Sequence, residues 1–415
     1  MNNLRPVKGC RDLLDQDILS FRYIVDVFTR LAKLYGCSEI YTPILEHTEI
    51  FTKSLGQSSD VVTKEMYSFI DQGQDNLTLR PEFTAAIMRA VLSGGLEHRL
   101  PLRLFSYGPL FRRERPQAGR QRQFHQVNVE FLGADKPAAD AELIKLGADL
   151  LQALNIADYT LQINSLGCSQ SRVNYRQVLH EYFSDHIATL SEISKIRLQK
   201  NPLRILDSKE DSDQAIIADA PKIFNYYTQE AKHYFQEVQQ NLNHLGIAFS
   251  VNCNIVRGLD YYNHTAFEFI SSNLGGQSAI IAGGRYDGLA QMMGGKSMIP
   301  AVGFAGGIER LMILSTQEIS THKPVVVIPV TQNQHVFALR GLALLRENGI
   351  AALLESGKKI GDVIQKAINK HQAQYVVILG EQEELNQTYM VKDLANSQQD
   401  SVSFPAMLKI FKGEK

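Results

Sequence analysis

The chain of 415 residues has little of what would tie it to a membrane, a metal or a disulfide framework. No apolar run approaches the roughly 20 residues that a helix needs to cross a bilayer, so no transmembrane helix is expected. The opening MNNLRPVKGCRDLLDQD is polar and acidic where a secretory signal needs an apolar core, which makes the cytosol the expected compartment. The four cysteines, Cys10, Cys37, Cys168 and Cys253, lack the paired spacing of a zinc site or a disulfide scaffold and read as ordinary buried thiols. The eleven histidines show no ligand spacing. An excess of charge of one sign is also missing: 43 basic against 44 acidic residues leave a net charge of −1, so any contact with nucleic acid must come from a local patch. The phosphate loop G-x-x-x-x-G-K-[ST], the fingerprint G-x-G-x-x-G, the metal helix H-E-x-x-H and the elbow G-x-S-x-G are all absent. What is there, 44% hydrophobic and 21% charged residues, is the composition of a globular protein long enough for two or three domains.

Along the chain, Ile24, Val27, Phe28, Leu31 and Leu34 recur at helical spacing within 17–35, and Gly36 supplies a stop. SEIYTPILE (38–46) reads as a short extended run whose Pro43 suits an edge or an interface better than a central strand. Two strands joined by a long Arg- and Gln-rich loop are expected over 101–133, a helix over 136–155, and a strand face made by Tyr159, Leu161 and Ile163. From about 168 to 240 the chain turns polar and helix-like, with no glycine between Gly167 and Gly246, which predicts a helical insertion in the first domain. Strand-like, glycine-rich segments return at 250–270 and 277–307, and STQEISTHK (315–323) reads as a linker. Beyond it, VVVIPV (325–330), a helix at 335–348, AALL, a helix at 359–370, YVVIL (375–379) and a short strand around 388–391 alternate as a small α/β domain.

The strongest chemical signal is FRRERPQAGRQRQFHQVNVEF (111–131). Seven arginines lie between Arg99 and Arg122, with Glu97 and Glu114 the only acids in or beside the stretch. Such density suits a polyphosphate, because a guanidinium donates in a planar fork and stays charged. From charge alone, a solvated basic loop serves equally well. The strand that follows favours a pocket: its period of two puts Gln126, Asn128 and Glu130 on one face and Val127, Val129 and Phe131 on the other.

Three further segments are weaker alone. In RGLDYYNHTAFEF (257–269), Tyr261 and Tyr262 are more ordinary as core or interface residues than as ligand contacts. In AGGRYDGL (282–289), paired glycines permit close backbone approach, and a tight hairpin bend is the reading the segment favours by itself. In AVGFAGGIERLMIL (301–314), Gly306-Gly307 opens a helix with Ile308, Leu311 and Met312 inward and Arg310 beside them, which suits an anion or a buried ion pair.

Taken in order, these segments resemble the histidine–tRNA ligases, a family of class II aminoacyl-tRNA synthetases. The Pro43 segment is similar to the first class II motif, FRRERP through NVEF to the second and GFAGGIERL to the third. RGLDYY and AGGRYDGL resemble the two segments that distinguish the histidine enzymes, LRPEFTA (79–85) the amino-acid-binding segment, NPLRILDSK (201–209) the insertion, and GEQEELNQTYMVKDL (380–394) the end of the anticodon-binding domain. The resemblance implies an α+β fold in which an antiparallel sheet is flanked by helices. It places a catalytic domain at 1–320, interrupted by the helical insertion at about 168–240, and an α/β anticodon-binding domain at 324–415. It also implies ATP with Mg2+, L-histidine and tRNA(His) as partners, and a homodimer formed through the Pro43 segment.

By motif position, the resemblance gives Arg112 and Arg257 to the α-phosphate and carboxylate, and Arg310 with Arg120 to the outer phosphates. Glu114 and Phe124 go to adenine, Glu82, Thr84 and Gln126 to the α-ammonium and carboxylate ends of histidine, and Glu130 with Tyr262 and Tyr261 to the imidazole. A metal ligand set is not legible. Two stretches depart from the family: Ala118-Gly119-Arg120-Gln121 where K-G-R-Y is common, and Asn396-Ser397-Gln398-Gln399 in place of T-G-E-Q. Two rivals stand beside this reading. One is a silent relative such as the regulatory subunit of ATP phosphoribosyltransferase, and the other is an RNA-binding module without chemistry.

Overall fold

The structure, a computed structural model, describes residues 4–413 except 57, 58, 60, 117, 118, 209, 254, 256–260, 276–278, 318 and 320–322. It divides into two compact units, Met1–Ile319 and Ser320–Lys415.

The first unit is built on an eight-stranded sheet. Its strands are β1 (Ser38–Glu39), β5 (Leu102–Phe111), β6 (Gln123–Leu132), β7 (Thr160–Ser165), β8 (Ser250–Val251), β9 (Asn263–Ile270), β10 (Ala279–Arg285) and β11 (Ala301–Gly307); β2 (Leu45–His47), β3 (Tyr67–Ile70) and β4 (Asn76–Leu79) form a small separate sheet. The large sheet runs β1-β5-β6-β11-β10-β9-β7-β8. Its interior pairs are antiparallel, and only the short edge strands β1 and β8 pair in parallel. The two-residue β1 is an edge strand, and Pro43 lies beyond it, between β1 and β2, where its missing N–H costs no ladder bond.

Helices α1 (Asp15–Leu34), α2 (Thr48–Leu55), α3 (Thr84–Ser93), α4 (Pro137–Ala153), α5 (Ser169–Asp185), α6 (Glu192–Lys200), α7 (Asp211–Ala218), α8 (Gln229–His244), α9 (Leu289–Met292) and α10 (Ile308–Leu314) complete the unit. One sheet face packs Val127, Val129, Phe131, Phe267 and Phe269 against Phe28 of α1 and Leu150 of α4, forming the main core. On the other side, α2 and α3 pack Phe51, Ile87 and Met88 with Tyr261 and Tyr286. The polar segment after β7 has a small core of its own, from Tyr175 to Ile223. Its last helix, α8, instead buries Phe235, Val238 and Leu242 in the main core.

The second unit holds β12 (Val325–Pro329), β13 (Ala352–Leu354), β14 (Tyr375–Leu379), β15 (Tyr389–Asp393) and β16 (Gln399–Val402), in the order β13-β12-β14-β15-β16. Helices α11 (His335–Glu347), α12 (Ile360–Asn369), α13 (Glu381–Asn386) and α14 (Phe404–Lys412) accompany them. The three strands read as VVVIPV, AALL and YVVIL pair in parallel, as near-continuous apolar runs covered on both faces must. Strand β16 is polar and carries no such signal, whereas α14, also outside the sequence expectation, places Phe404, Met407, Leu408 and Phe411 at helical spacing and packs them in the core of this unit.

Candidate active site

A cavity of about 540 Å³ lies on the polar face of β6, between β6, β10 and β11 and the start of α3. The alternation read from the sequence is realised: Val127, Val129 and Phe131 are in the main core, while Gln126 and Asn128 line the cavity. Glu130 does not line it. The carboxylate lies behind the wall at 1% exposure, directly under Gly303 of β11, its register partner. A methyl group on Gly303 would overlap Glu130 Oε2, so only glycine leaves room for the acid there.

Glu130 is held by three neutral donors. Thr84 Oγ1 donates to Oε1 at 2.6 Å, Asn128 Nδ2 donates to Oε1 at 3.0 Å, and the Tyr286 hydroxyl donates to Oε2. Burial pushes its pKa up to about 7, against those hydrogen bonds, which favour the ionised form. Glu82 is buried in the same wall, where its carboxylate accepts from the backbone N–H groups of Thr84 and Ala85 at 2.8 and 2.7 Å. It thereby caps the first turn of α3. Burial also raises Glu82, opposed by those amides and by the charge of Arg112.

The arginine loop contributes fewer cations than its density suggests. Arg112 and Arg120 line the cavity, together with Glu114, Gln121 and Phe124. Arg103, by contrast, faces away, with both terminal nitrogens on Glu142 at 2.6 and 2.7 Å. Arg112 donates from Nε to Pro81 O at 2.9 Å and sits 5.4 Å from the centre of the Phe124 ring. Glu114 Oε2 lies 2.7 Å from Arg120 Nη1, a charge contact without hydrogen-bond alignment.

Across the cavity, Gly307 ends β11 and caps α10, so the glycine pair closes a strand before it opens the helix. Arg310 enters the cavity wall with Nη1 on the Ala279 carbonyl and Nε on that of Gly119 at 3.3 Å. Burial and the neighbouring Arg120 and Arg112 lower its pKa, the electrostatics of a place that would welcome an anion. Glu309 is fastened to β6: the backbone N–H of His125 donates to both its oxygens at 3.1 and 3.0 Å.

The segment AGGRYDGL is not a hairpin bend. Ala282 through Arg285 lie in β10, and a side chain on Gly284 would press on the ring of Tyr262, which lines the cavity. The glycines therefore serve close approach inside a sheet, the alternative that the segment alone left second. Arg285 that follows is buried at 1% exposure, with Nε 3.1 Å from Asp140 Oδ1 and Nη1 3.0 Å from Asp287 Oδ1. Tyr261 is 3% exposed and stacks obliquely on Tyr262, ring centres 4.6 Å apart.

Of the expected site residues, Glu82, Thr84, Arg112, Glu114, Arg120, Phe124, Gln126, Tyr261, Tyr262 and Arg310 line this one cavity, and Glu130 backs it. Arg257 lies outside the described residues, as does Ala118. Sequence reading missed Tyr286, although AGGRYDGL contains it, and Arg197 and Arg204, which reach the cavity wall from the polar helical segment. Among the described residues, no group of three or more His, Cys, Asp or Glu could hold a metal ion. The four cysteines are free thiols, but only Cys37 is buried; Cys10, Cys168 and Cys253 are partly exposed, against the expectation of burial.

A largely antiparallel sheet, with a strand–loop–strand that brings Arg112 and a terminal strand–helix that brings Arg310 to the same cavity, is the architecture of a class II aminoacyl-tRNA synthetase. The chain belongs to the histidyl-tRNA synthetase family, whose model matches residues 9–311, while the model described as an anticodon binding domain matches residues 324–414. It is 48% identical over 412 residues to a histidine–tRNA ligase of Rickettsia bellii (strain RML369-C), covering 99% of each chain. Among solved structures, apo histidyl-tRNA synthetase of S. aureus aligns with a TM-score of 0.83 at 30% identity, over 99% of this chain and 100% of that one. An ATP phosphoribosyltransferase regulatory subunit/histidyl-tRNA synthetase from Bacillus halodurans C, 23% identical with a TM-score of 0.66 over 91% of this chain and 98% of that one, shares the fold.

Proposed function

We propose that the cavity activates L-histidine with ATP and transfers it to the 3′ end of tRNA(His). The observation that carries this reading is the convergence of Arg112, Tyr262 and Arg310, from three distant stretches, on one cavity backed by Glu130. In the first step the histidine carboxylate attacks the α-phosphorus of ATP, forming the acyl–phosphate bond of histidyl-adenylate as pyrophosphate leaves. In the second, the terminal hydroxyl of the tRNA attacks the activated carbonyl and AMP leaves. Both steps gather negative charge, so fixed guanidinium groups and positioning do most of the work.

Arg112 and Arg257 take the α-phosphate and carboxylate, Arg310 and Arg120 the outer phosphates, and Glu114 and Phe124 the adenine. Glu82, Thr84 and Gln126 hold the ammonium and carboxylate ends of histidine. The Thr84 hydroxyl donates its hydrogen bond to Glu130, which leaves the hydroxyl oxygen to accept from the ammonium group. Glu130 and Tyr262, with Tyr261 behind, meet the two imidazole nitrogens. A site that strands buried polar groups when the wrong amino acid enters discriminates by roughly 10⁴ or more. Three of the four acids that line the cavity are engaged elsewhere, Glu82 capping α3, Glu309 holding His125 and Glu114 facing Arg120, and among the described residues no group of three or more His, Cys, Asp or Glu could hold a metal ion. Magnesium would therefore arrive on the phosphates of ATP, where it neutralises their charge.

Residues 1–320 form the catalytic domain on this reading, with the helical insertion within it, and 324–415 read the anticodon. The working form is a cytosolic homodimer joined through the Pro43 segment, in which Tyr41 exposes apolar surface. ATP–pyrophosphate exchange run with each of the twenty amino acids tests the whole: exchange with histidine alone is expected. No exchange with histidine would return the chain to a regulator or an RNA-binding module.

A further inference from the structure

The carboxylate of Glu130 has about four acceptor positions, two on each oxygen. Thr84 and Asn128 take both on Oε1, and Tyr286 takes one on Oε2. Among the described residues nothing else donates to it, so it can accept one further N–H, on Oε2, the oxygen that Tyr286 holds.

Tyr286 is itself unusually fixed. It is 1% exposed, its backbone N–H donates to Ala301 O at 2.8 Å, and its ring packs edge-on against Tyr261 and Tyr262 with centres 5.6 and 6.3 Å away. The residues on either side anchor the turn. Arg285 is clamped to Asp140 and donates to Ala134 O at 2.7 Å, and Asp287 accepts from the backbone N–H of Ala301 at 3.0 Å. A phenol braced in this way fixes the direction in which the remaining lone pair of Oε2 points.

We propose that Tyr286 is a specificity-determining positioning residue for histidine: by donating to Glu130 Oε2 it leaves that carboxylate one aimed acceptor position, matched to a single ring N–H of the substrate. The inference rests on the reading of Glu130 as the imidazole acceptor. It extends recognition of the side chain from the residues that meet the ring to the residue that orients them.

The charged and titratable groups around Glu130 bear on its test. Glu82 faces it from the start of α3, with the opposing charge of Arg112 acting on Glu82 in turn, and Tyr261 and Tyr286 lie within its field. Burial beside these acids raises the Tyr261 and Tyr286 phenols well above their ordinary range, so Tyr286 is a neutral donor at neutral pH. Removing its hydroxyl withdraws a hydrogen bond that favours the ionised carboxylate, so Glu130 takes up its proton at higher pH.

The test is exchange kinetics in the whole protein with Y286F, beside E130Q. Y286F is expected to raise the histidine KM about 10-fold or more, the worth of one hydrogen bond to a buried charge, with the ATP KM unchanged. The acid limb of kcat/KM for histidine should also move to higher pH. Replacing Tyr286 by 3-fluorotyrosine keeps the shape and strengthens the donor, so the limb should move down instead; this arm decides if Y286F folds poorly. A histidine KM and acid limb unchanged in Y286F, with E130Q crippled, would overturn the role of Tyr286 alone. Equal damage to histidine and ATP use would also overturn it, because a structural role predicts that pattern. E130Q with normal histidine kinetics would remove the imidazole reading of Glu130 and this proposal with it.

Discussion

Strands β6 and β12 are both deeply buried, yet their side chains are distributed in opposite ways. In β6, Val127, Val129 and Phe131 enter the main core while Gln126, Asn128 and Glu130 take the cavity side. In β12, Val325 and Val327 enter one apolar cluster and Val326 and Ile328 another, so neither face offers a polar group. Apolar clusters on both faces leave no place for a side chain that needs hydrogen bonds. A strand with one face on a cavity can keep such side chains, provided each is met by donors, as Glu130 is by Thr84, Asn128 and Tyr286. The contrast teaches where the cost of burying polar groups has been accepted. Substitutions on or beside the polar face of β6 should damage chemistry, and substitutions in β12 should damage stability and leave the chemistry alone.

The largest expected break is Arg112→Ala. Loss of one preorganised donor to the developing charge should lower histidine-dependent exchange by about 10²–10³. Its hydrogen bond to the Pro81 carbonyl is half-buried, so the chemical denaturation midpoint should hardly move. Exchange within a few-fold of the parent would take Arg112 out of the mechanism. Glu130→Ala comes next. It should reduce kcat/KM for histidine by about 10–10², a hydrogen bond to a charged group, with ATP binding preserved. The pH profile sharpens it. The carboxyl, pushed up to about 7, is ionised and accepting above that pH and protonated below it, so histidine use should decline as pH falls through 7. In Glu130→Ala the remaining decline should follow only the titration of free histidine. An unchanged profile in that variant would assign the acid limb to another group.

The same contrast explains how much could be read without coordinates. Alternation in Phe124–Phe131 was enough to place Gln126 and Asn128 on a cavity wall, because a period of two leaves only two faces. The apolar runs of β12 and β14 were legible for the complementary reason. Arginine density was a poorer guide: Arg112 and Arg120 reach the cavity, while Arg103 pairs with Glu142, since a charge pattern does not reveal which residue meets an internal acid first. The paired glycines of AGGRYDGL looked like a bend because their reason, the Tyr262 ring against Gly284, comes from another strand. Tyr286 was hidden in the same way. Its partner is 156 residues away in sequence, and no local spacing predicts a bond of that range.

The smallest effect tests the other half of the comparison. Ile328 is 1% exposed in the second apolar cluster of the C-terminal unit, packed with Val363 and Ala367 of α12 and Val376 of β14. Ile328→Val removes one methylene from that cluster and should lower the stability of this unit by about 0.5–1.5 kcal/mol, read as a shift in its denaturation midpoint. In the proposed function ATP–pyrophosphate exchange uses groups of the first unit alone, so its rate should equal that of the parent at a temperature where both units are folded. A several-fold loss of exchange there would mean that packing inside the β12 sheet reaches the cavity beside β6. The separation of chemistry from packing would then not follow the boundary between the two sheets.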